Sequence, residues 1–376
     1  MTPAGSTALE VQGAVRWPNW SLAHLRRLTD TTGIVEHALG AVPNPLEGYT
    51  LDDNARALVV AIRYHRHARD PEALELAIRY LSFILYCQME DGWFHNDVGY
   101  DRRFLDERAS EDPVGRAIWA LGETAGLAEL EALWVAAVHT LRRSLQWARR
   151  FSGLRPAAFS LLGLRALGRA PRDRLAGLMK AAELRQLAAE LGERLLSAYH
   201  QARRPGWQWF EDRLTYCNAR LPHGLLFAGE LTGHSRFFKV ASDTFDFLWG
   251  QLWDGQCLQV VGNRGWWERG LDRALYDQQP VDAGAMAELA CAFYLATGRP
   301  DYLERASMSV EWFYGRNASG VASHDEATGG CRDGLGADGV NINQGAESTL
   351  AHLLARMAVE DALRHAAAGR KSSAMA

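Results

Sequence analysis

The sequence predicts an all-α protein, an (α/α)6 toroid of six helical hairpins with an inner and an outer ring of helices. Two observations lead to this prediction. Short apolar helices rich in glycine and alanine recur six times, and longer amphipathic helices alternate with them. A helix that is apolar nearly all round must be buried, whereas a helix with a charged face borders water. Six alternations of these two classes therefore indicate two concentric rings.

The predicted inner helices each follow a polar or turn-like residue. Four of the five steps between their starts are about 60 residues long, and the second-to-third step is about 45, as expected of a repeated unit that has lost one loop. The predicted starts are Asp52, Glu111, Leu154, Cys217, Val281 and Asn343.

The predicted outer helices carry apolar residues at i, i+3, i+4 and i+7, with charges on the opposite face. They cover residues 21–39, 71–88, 127–151, 172–201, 235–253 and 301–316. An open solenoid of helical hairpins shares the alternation and is the main structural alternative. Solenoid repeats are nearer ~35–45 residues and have short connections, whereas these units contain long loops rich in glycine, tryptophan and charge. We therefore favour the closed ring.

Composition and charge narrow the class of protein. Apolar residues make up 48% of the chain and charged residues 23%, which is typical of a globular domain. We expect a flexible tail over residues 1–16, a single domain over 17–367 and a disordered tail over 368–376. The net charge of −4 gives no basic field for nucleic acid. Without a secretory signal or a membrane span in the sequence, we expect a cytoplasmic location.

The five cysteines are scattered and form no CxxC pair, which makes a disulfide framework or a structural zinc site improbable. The sequence also lacks the HExxH, GxSxG and GxxxxGK[ST] motifs, and no histidine pair has metal-binding spacing on a helix. We therefore expect neither a metal nor another cofactor.

Acidic residues stand at the starts of the predicted inner helices. Because the inner helices of a toroid run parallel, their N-termini meet at one mouth, and acidic side chains there could supply the two carboxyl groups that glycosidic cleavage needs. The candidate catalytic residues are Asp53, Asp112, Asp282 and Glu347. Asp53 is the first choice, with Asp52 as the helix cap and either Asp112 or Asp282 as the partner. For any one of them, an ordinary helix cap is the alternative.

Aromatic and polar residues of the loops could bind a saccharide, since a ring platform covers the apolar face of a sugar while polar groups fix its orientation. The alternative for the tryptophans is that they anchor loops on the rim of the barrel. The candidate binding residues are Trp93, Phe94, Arg56, Arg116, Trp207, Trp209, Glu211, Tyr216, Asn218, Trp266, Asp325, Arg332, Asn343 and Gln344.

Three strings carry a resemblance to known proteins. GYTLDDNARAL at 48–58 and GWF at 92–94, together with the six-hairpin order, resemble the (α/α)6-barrel six-hairpin glycosidase superfamily of cellulases, unsaturated glucuronyl hydrolases and epimerase-like proteins. GGCRDGL at 329–335 with GVNINQGAESTLAHL at 339–353 is similar to a bacterial domain found alone or fused to glycosyltransferases in polysaccharide gene sets. The resemblance covers about Trp17 to about Ala367.

The resemblance implies a saccharide site at the barrel mouth with acidic residues at Asp53, Asp112 and Asp282, and less securely at Glu347. Epimerase-like members rely on histidines at the mouth, and here only His223 lies near an inner-helix start. We therefore expect a glycoside hydrolase that acts on an oligosaccharide or polysaccharide, ahead of a lyase or an epimerase. The alternative is a non-catalytic glycan-binding or scaffold partner of a glycosyltransferase.

Overall fold

A computed structural model describes residues 17–127 and 131–374 of the chain, with side chains described as far as residue 369. Over these residues the protein is mainly α-helical, in agreement with the predicted fold class. Its helices are α1 (Ala23–Leu28), α2 (Leu51–Ala68), α3 (Pro71–Cys87), α4 (Glu111–Ala125), α5 (Glu131–Ala148), α6 (Leu154–Leu167), α7 (Arg172–Leu178), α8 (Ala181–Ala202), α9 (Arg220–Thr232), α10 (Ser235–Leu252), α11 (Pro280–Thr297), α12 (Pro300–Glu311) and α13 (Ala346–Ala374).

Six of these helices form a closed inner ring. In ring order α2, α4, α6, α9, α11 and α13 each contact the next, and α13 returns to contact α2. Helix α11 shows why they lie inside, because every residue from Pro280 to Tyr294 is buried. The amphipathic helices α3, α5, α8, α10 and α12 pack outside on the helices that precede or follow them. Ring closure excludes the open solenoid.

Glycine lets neighbouring inner helices approach closely. A Cβ on Gly122 of α4 would lie 2.7 Å from the Cα of Gly163 on α6, and one on Gly115 would lie 2.6 Å from the Cα of Pro156. Real Cβ atoms do not come this close to backbone, so these positions require glycine. The small residues of the inner segments therefore set the width of the ring.

Short antiparallel strand pairs occur in the loops that lead from an outer helix to the next inner helix, and these loops lie at the mouth. Connections at the opposite end, such as 69–70, 168–171 and 233–234, are short. The strands are β1 (Ala38–Leu39), β2 (Val42–Pro43), β3 (Tyr49–Thr50), β4 (Asp97–Val98), β5 (Arg213–Leu214), β6 (Trp267–Glu268), β7 (His324–Asp325), β8 (Gly330–Cys331), β9 (Gly334–Gly336) and β10 (Gly339–Asn341). They pair as β1–β2, β3–β4, β5–β6, β7–β8 and β9–β10.

Two predicted outer helices differ from the structure. The segment 21–39 is helical only over Ala23–Leu28, because Asp30 accepts hydrogen bonds from the backbone N–H groups of Thr32 and Gly33 in a turn that ends the helix. The segment 172–201 is two helices, α7 and α8, because the backbone is extended at Met179. Each segment contains a glycine, Gly33 or Gly177, near the point where the helix stops.

The C-terminal end of the last helix differs from the predicted domain boundary. Helix α13 continues to Ala374, past the predicted domain end at residue 367, whereas the predicted tail over 1–16 lies outside the described residues. No helix in the described part of the chain is both long and apolar enough to cross a membrane.

Candidate active site

Arg56 joins three carboxylates at the mouth. Its guanidinium is almost fully buried, and its Nη1 lies 2.7 Å from Asp53 Oδ1. Its Nη2 lies 3.0 Å from Asp52 Oδ2 and 2.6 Å from Glu347 Oε2. The first two contacts follow from the i,i+3 and i,i+4 spacing on α2. The third joins the first and last inner helices, so three predicted residues, Asp53, Arg56 and Glu347, meet as one group.

The cap of α2 is Thr50 rather than Asp52. The Oγ1 of Thr50 accepts a hydrogen bond from the backbone N–H of Asp53, which is the usual role of a threonine N-cap. Asp52 instead lies between two arginines, because its Oδ1 is 3.0 Å from Nε of Arg116 on α4. The predicted capping role of Asp52 was therefore wrong, and both members of the aspartate doublet face charged partners.

A cavity of about 710 Å³ opens beside this group, between the N-termini of α2 and α13 and the loops that precede α11 and α13. Its volume lies within the range of small-molecule sites, about 300–1,000 Å³. It is lined by Glu36, His37, Thr50, Asp52, Asp53, Arg56, Asn96, Asn263, Arg264, Asp277, Gln279, Asp333, Gly334, Gly336, Ala337, Asp338, Gly339, Val340, Asn341, Gly345, Glu347 and Ser348.

Burial raises the pKa of several acids that line the cavity. It raises the pKa of Asp53 to about 7, against the opposing effect of the Arg56 guanidinium. It also raises the pKa of Glu36 to about 7, and the negative charges of Asp97 and Asp52 add to that effect. The pKa of Asp333 is raised as well, again chiefly by burial. The site therefore holds carboxyl groups that keep a proton near neutral pH.

A second polar group lies at the N-termini of α4 and α6, outside the lining of the cavity. The hydroxyl of Tyr216 donates to Asp112 Oδ2 at 2.5 Å, and Arg155 Nη1 lies 3.0 Å from Glu211 Oε2. The ring of Trp266 is 6.2 Å from that of Tyr216 and is half-buried. The structure thus brings Asp112, Tyr216, Glu211 and Trp266 together, beside the acidic cavity rather than in its wall.

Asp282 and Asn218 lie deeper, at the N-terminal ends of α11 and α9. Asp282 is buried and its Oδ2 has no hydrogen-bond partner among the described residues. Burial and the nearby charge of Glu347 raise its pKa to about 7. The side chain of Asn218 is held within its own turn, since its Oδ1 accepts from the N–H of Thr215 at 3.0 Å. Neither residue lines the cavity.

Three of the four tryptophans proposed as a sugar platform hold the loops together instead. Trp93 donates to the carbonyl of Ala109 and packs edge-on against Trp147. Trp207 donates to the carbonyl of Glu211, whereas Trp209 is enclosed by other aromatic rings. These three rings and that of Phe94 are buried, with at most 7% of their surface exposed. The faces of these rings are covered by protein. Their positions agree with the alternative that such residues anchor loops on the rim of the barrel.

The predicted residues of the last long loop also stabilise that loop. Gln344 bridges Thr328 Oγ1 and Asp325 Oδ2, at 2.7 and 3.0 Å. The Oδ1 of Asn343 accepts from the N–H of Gly40, which ties the loop to the β1–β2 hairpin. Arg332 donates to the carbonyl of Ala322. Of this loop, residues 333–334 and 336–341, which follow Arg332, reach the cavity.

Comparisons with known proteins give structural matches only. No protein-family model matches the chain, and no curated protein sequence matches it either. A cellobiose 2-epimerase from Bacillus thermoamylovorans superposes with a TM-score of 0.70 at 12% identity, over 92% of this chain and 96% of that one. A D-mannose isomerase gives 0.63 at 13%, over 91% and 96%. An α-1,6-mannanase from Salegentibacter gives 0.60 at 13%, over 90% and 96%.

The chain adopts the six-hairpin (α/α)6 glycosidase fold. One further match in this fold is an inactive variant of the Salegentibacter mannanase in complex with α-1,6-mannotriose, in which two consecutive aspartates are replaced by asparagine. It superposes with a TM-score of 0.59 at 14% identity, over 91% of this chain and 96% of that one. At these identities the matches establish the fold alone.

Histidines are scarce at the mouth of this six-hairpin barrel. In the described part of the chain, His37 is the one histidine that lines the cavity. His223 is buried against Phe227, and burial holds its pKa well below the ordinary value. Its two ring nitrogens have no hydrogen-bond partner among the described residues. The histidine that the sequence placed nearest an inner-helix start therefore lies away from the cavity.

Several residues of the six-hairpin mouth are not among the candidates that the sequence predicts. The sequence pattern predicts an outer helix at Glu36 and His37, whereas the turn at Asp30 to Gly33 places them in a loop. The prolines Pro43 and Pro45, together with Gly40, signal that this stretch leaves helical structure. Asp277 and Asp338 carried no such signal, because they lie in irregular loops and reach the cavity only through tertiary contacts.

Proposed function

We propose that the protein is a glycoside hydrolase with Asp53 and Glu347 as its catalytic pair. One observation carries the proposal: both carboxyl groups line the same cavity in unlike environments. The side chain of Asp53 is 6% exposed, whereas that of Glu347 is 39% exposed. Two carboxyl groups whose surroundings separate their protonation states are what an acid and a base on one substrate require.

Asp53 takes the role of general acid. Because burial raises its pKa to about 7, a large fraction of the group carries a proton at neutral pH. That proton passes to the glycosidic oxygen as its bond to the sugar carbon breaks. Glu347, beside Arg56, acts as a carboxylate: it either activates a water molecule or attacks the sugar carbon directly. Arg56 holds the two groups at a fixed separation.

The comparisons support the substrate class. The matched proteins are named for cellobiose, mannose and α-1,6-mannan, which are all carbohydrates. The inactive mannanase lost two consecutive aspartates, and Asp52 and Asp53 are a similar doublet at the mouth of this chain. The sequence favours Asp112 or Asp282 as the partner of Asp53, but Glu347 lines the cavity with Asp53 and those two residues do not.

The test is a panel of oligosaccharides and polysaccharides incubated with wild type, Asp53→Asn and Glu347→Gln. We expect new reducing ends with the wild type and a loss of about 100-fold or more in each variant. Glu75→Gln, on the exposed face of α3, is the matched control and should retain wild-type activity. Absorbance from unsaturated products would instead indicate a lyase.

Two other outcomes decide against the pair or the activity. Turnover that survives in Asp53→Asn and Glu347→Gln but is lost in Asp112→Asn or Asp282→Asn assigns catalysis to the latter groups. If the wild type and the variants bind a glycan but none of them cleaves it, the alternative function is favoured. That function is a glycan-binding or scaffold partner of a glycosyltransferase in the cytoplasm.

A further inference from the structure

The cavity carries more negative charge than the protein compensates. Its acidic lining residues are Glu36, Asp52, Asp53, Asp277, Asp333, Asp338 and Glu347. Against these seven stand two lining arginines, Arg56 and Arg264, the exposed His37, and Arg116, which lies outside the lining with its Nε 3.0 Å from Asp52 Oδ1. Arg56 is shared by three of the acids, and Arg264 lies 3.3 Å from Asp277.

The excess charge is carried by three acids of the cavity wall. Among the described residues no arginine or lysine lies within ion-pair distance of Glu36, Asp333 or Asp338, and the nearest basic group to Glu36 is His37 at 3.5 Å. Asp333 Oδ1 accepts the N–H of Gly345 at 2.8 Å, which compensates it only in part. Burial raises the pKa of both Glu36 and Asp333, so a cation at this wall would be stabilised.

The remaining lining suits hydroxyl groups. Asn96, Asn263, Gln279 and Asn341 line the same space, and the strands β9 and β10 add backbone at three glycines. Among the described residues, no phenylalanine, tyrosine or tryptophan lines the cavity. Recognition there depends on hydrogen bonds and charge, and the volume accommodates a sugar rather than a bare ion. In the part of the chain that the structure describes, no group of three acidic, histidine or cysteine residues could hold a metal ion.

We propose that the cavity binds a sugar that carries a free amino group, with the ammonium placed against Glu36 and Asp338. This inference rests on the proposed function for its assignment of the cavity to a saccharide. An ammonium group donates hydrogen bonds to the carboxylates that lack a basic partner, and it also compensates their negative charge. Uronic acids and phosphorylated or sulfated sugars are repelled by the same charge.

The experiment measures binding by titration calorimetry, so it does not depend on turnover. The probes are glucosamine, galactosamine, mannosamine and β-1,4-linked glucosamine oligomers, each as the free amine and as the N-acetyl form, with galacturonic acid as the acidic probe. We expect at least one free amine to bind about tenfold more tightly than its N-acetyl form, and this preference to shrink as salt rises to about 0.5 M. Galacturonic acid should not bind.

Two variants test which carboxyl groups contact the ammonium. Glu36→Gln and Asp338→Asn should each weaken binding of the free amine about fivefold and leave the N-acetyl form unchanged. Glu75→Gln, far from the cavity on α3, should change neither. Equal affinity for every amine and its N-acetyl form, or no binding by any of them, overturns the proposal.

The result also separates this inference from the proposed function. Cleavage of a neutral glycan without any preference for free amines leaves the hydrolase intact and removes the amino-sugar specificity. A clear preference for free amines without cleavage of any glycan supports the amino-sugar specificity and removes the hydrolase activity.

Discussion

The negative charge that Glu36 contributes to the cavity lowers the stability of the folded protein. It lies beside other acids in a partly buried wall, and its pKa of about 7 compares with an ordinary value of 4.5. A carboxyl group whose folded pKa is raised binds more protons in the folded state between those two values. The free energy of unfolding that depends on Glu36 therefore falls as pH rises from 4.5 to 7, and the full cost is present above 7.

Replacing Glu36 with glutamine should therefore stabilise the protein at alkaline pH. We expect Glu36→Gln to raise the free energy of unfolding by about 1 kcal/mol at pH 8, after allowance for solvent screening, and the gain to vanish near pH 4.5. Urea unfolding at the two pH values measures it, with Glu75→Gln as the unaffected control. A variant less stable than wild type at pH 8 would show that Glu36 makes a favourable contact that outweighs the charge repulsion.

At the scale of the helix, the inner ring depends on backbone contact between α4 and α6. A Cβ atom on Gly122 would clash with the backbone of Gly163, and one on Gly163 would clash with the backbone of Ile118 and Trp119. By contrast Gly250, near the end of the outer helix α10, is exposed and has open space around its hypothetical Cβ. The same substitution should thus have opposite effects in the two rings.

The Gly122→Ala variant should lose about 1–3 kcal/mol of unfolding free energy, because overpacking forces α4 and α6 apart. Gly250→Ala should gain up to about 1 kcal/mol, because alanine favours the helix and meets no neighbour. Thermal and chemical unfolding of the two variants and wild type provide the comparison. Equal effects at both positions would contradict the close packing of the inner ring.

At the scale of the whole molecule, the two ends of the described chain meet. The indole N–H of Trp20 donates to Glu360 of α13 at 2.6 Å, and its ring packs edge-on against Tyr64 of α2. Arg356 donates to the carbonyl of Pro18 at 2.9 Å and lies over the ring of Trp17. These contacts cover the place where the last inner helix returns to the first.

Truncating this junction should loosen the closed ring. We expect Trp20→Phe to cost about 1 kcal/mol through the lost hydrogen bond, and Trp20→Ala to cost about 3 kcal/mol through lost packing as well. The midpoint of thermal unfolding ranks the three proteins. Hydrogen exchange at the C-terminal half of α13 should accelerate in the alanine variant, and unchanged exchange there would argue against a role in closure.

The sequence by itself determined the architecture and part of the site. The periodicity that defines buried and half-buried helices is local, so the starts of α4 at Glu111 and α6 at Leu154 follow from the residue pattern alone. Parallel inner helices also put Asp53 and Glu347 at one mouth before any coordinate is known. Where a start was displaced, as at Cys217, the backbone has a positive φ of 49° that no helix contains.

Only the tertiary structure decided which of these groups lie together. Glu36, Asp53, Asp333 and Glu347 are far apart in the sequence, and they share a cavity because the ring closes and the loops fold over its mouth. The burial that raises the pKa of Asp53, and that covers the faces of Trp93 and Trp209, is a property of neighbours that are distant along the chain. Periodicity specifies which face of a helix is buried, whereas loop packing and electrostatics depend on non-local contacts.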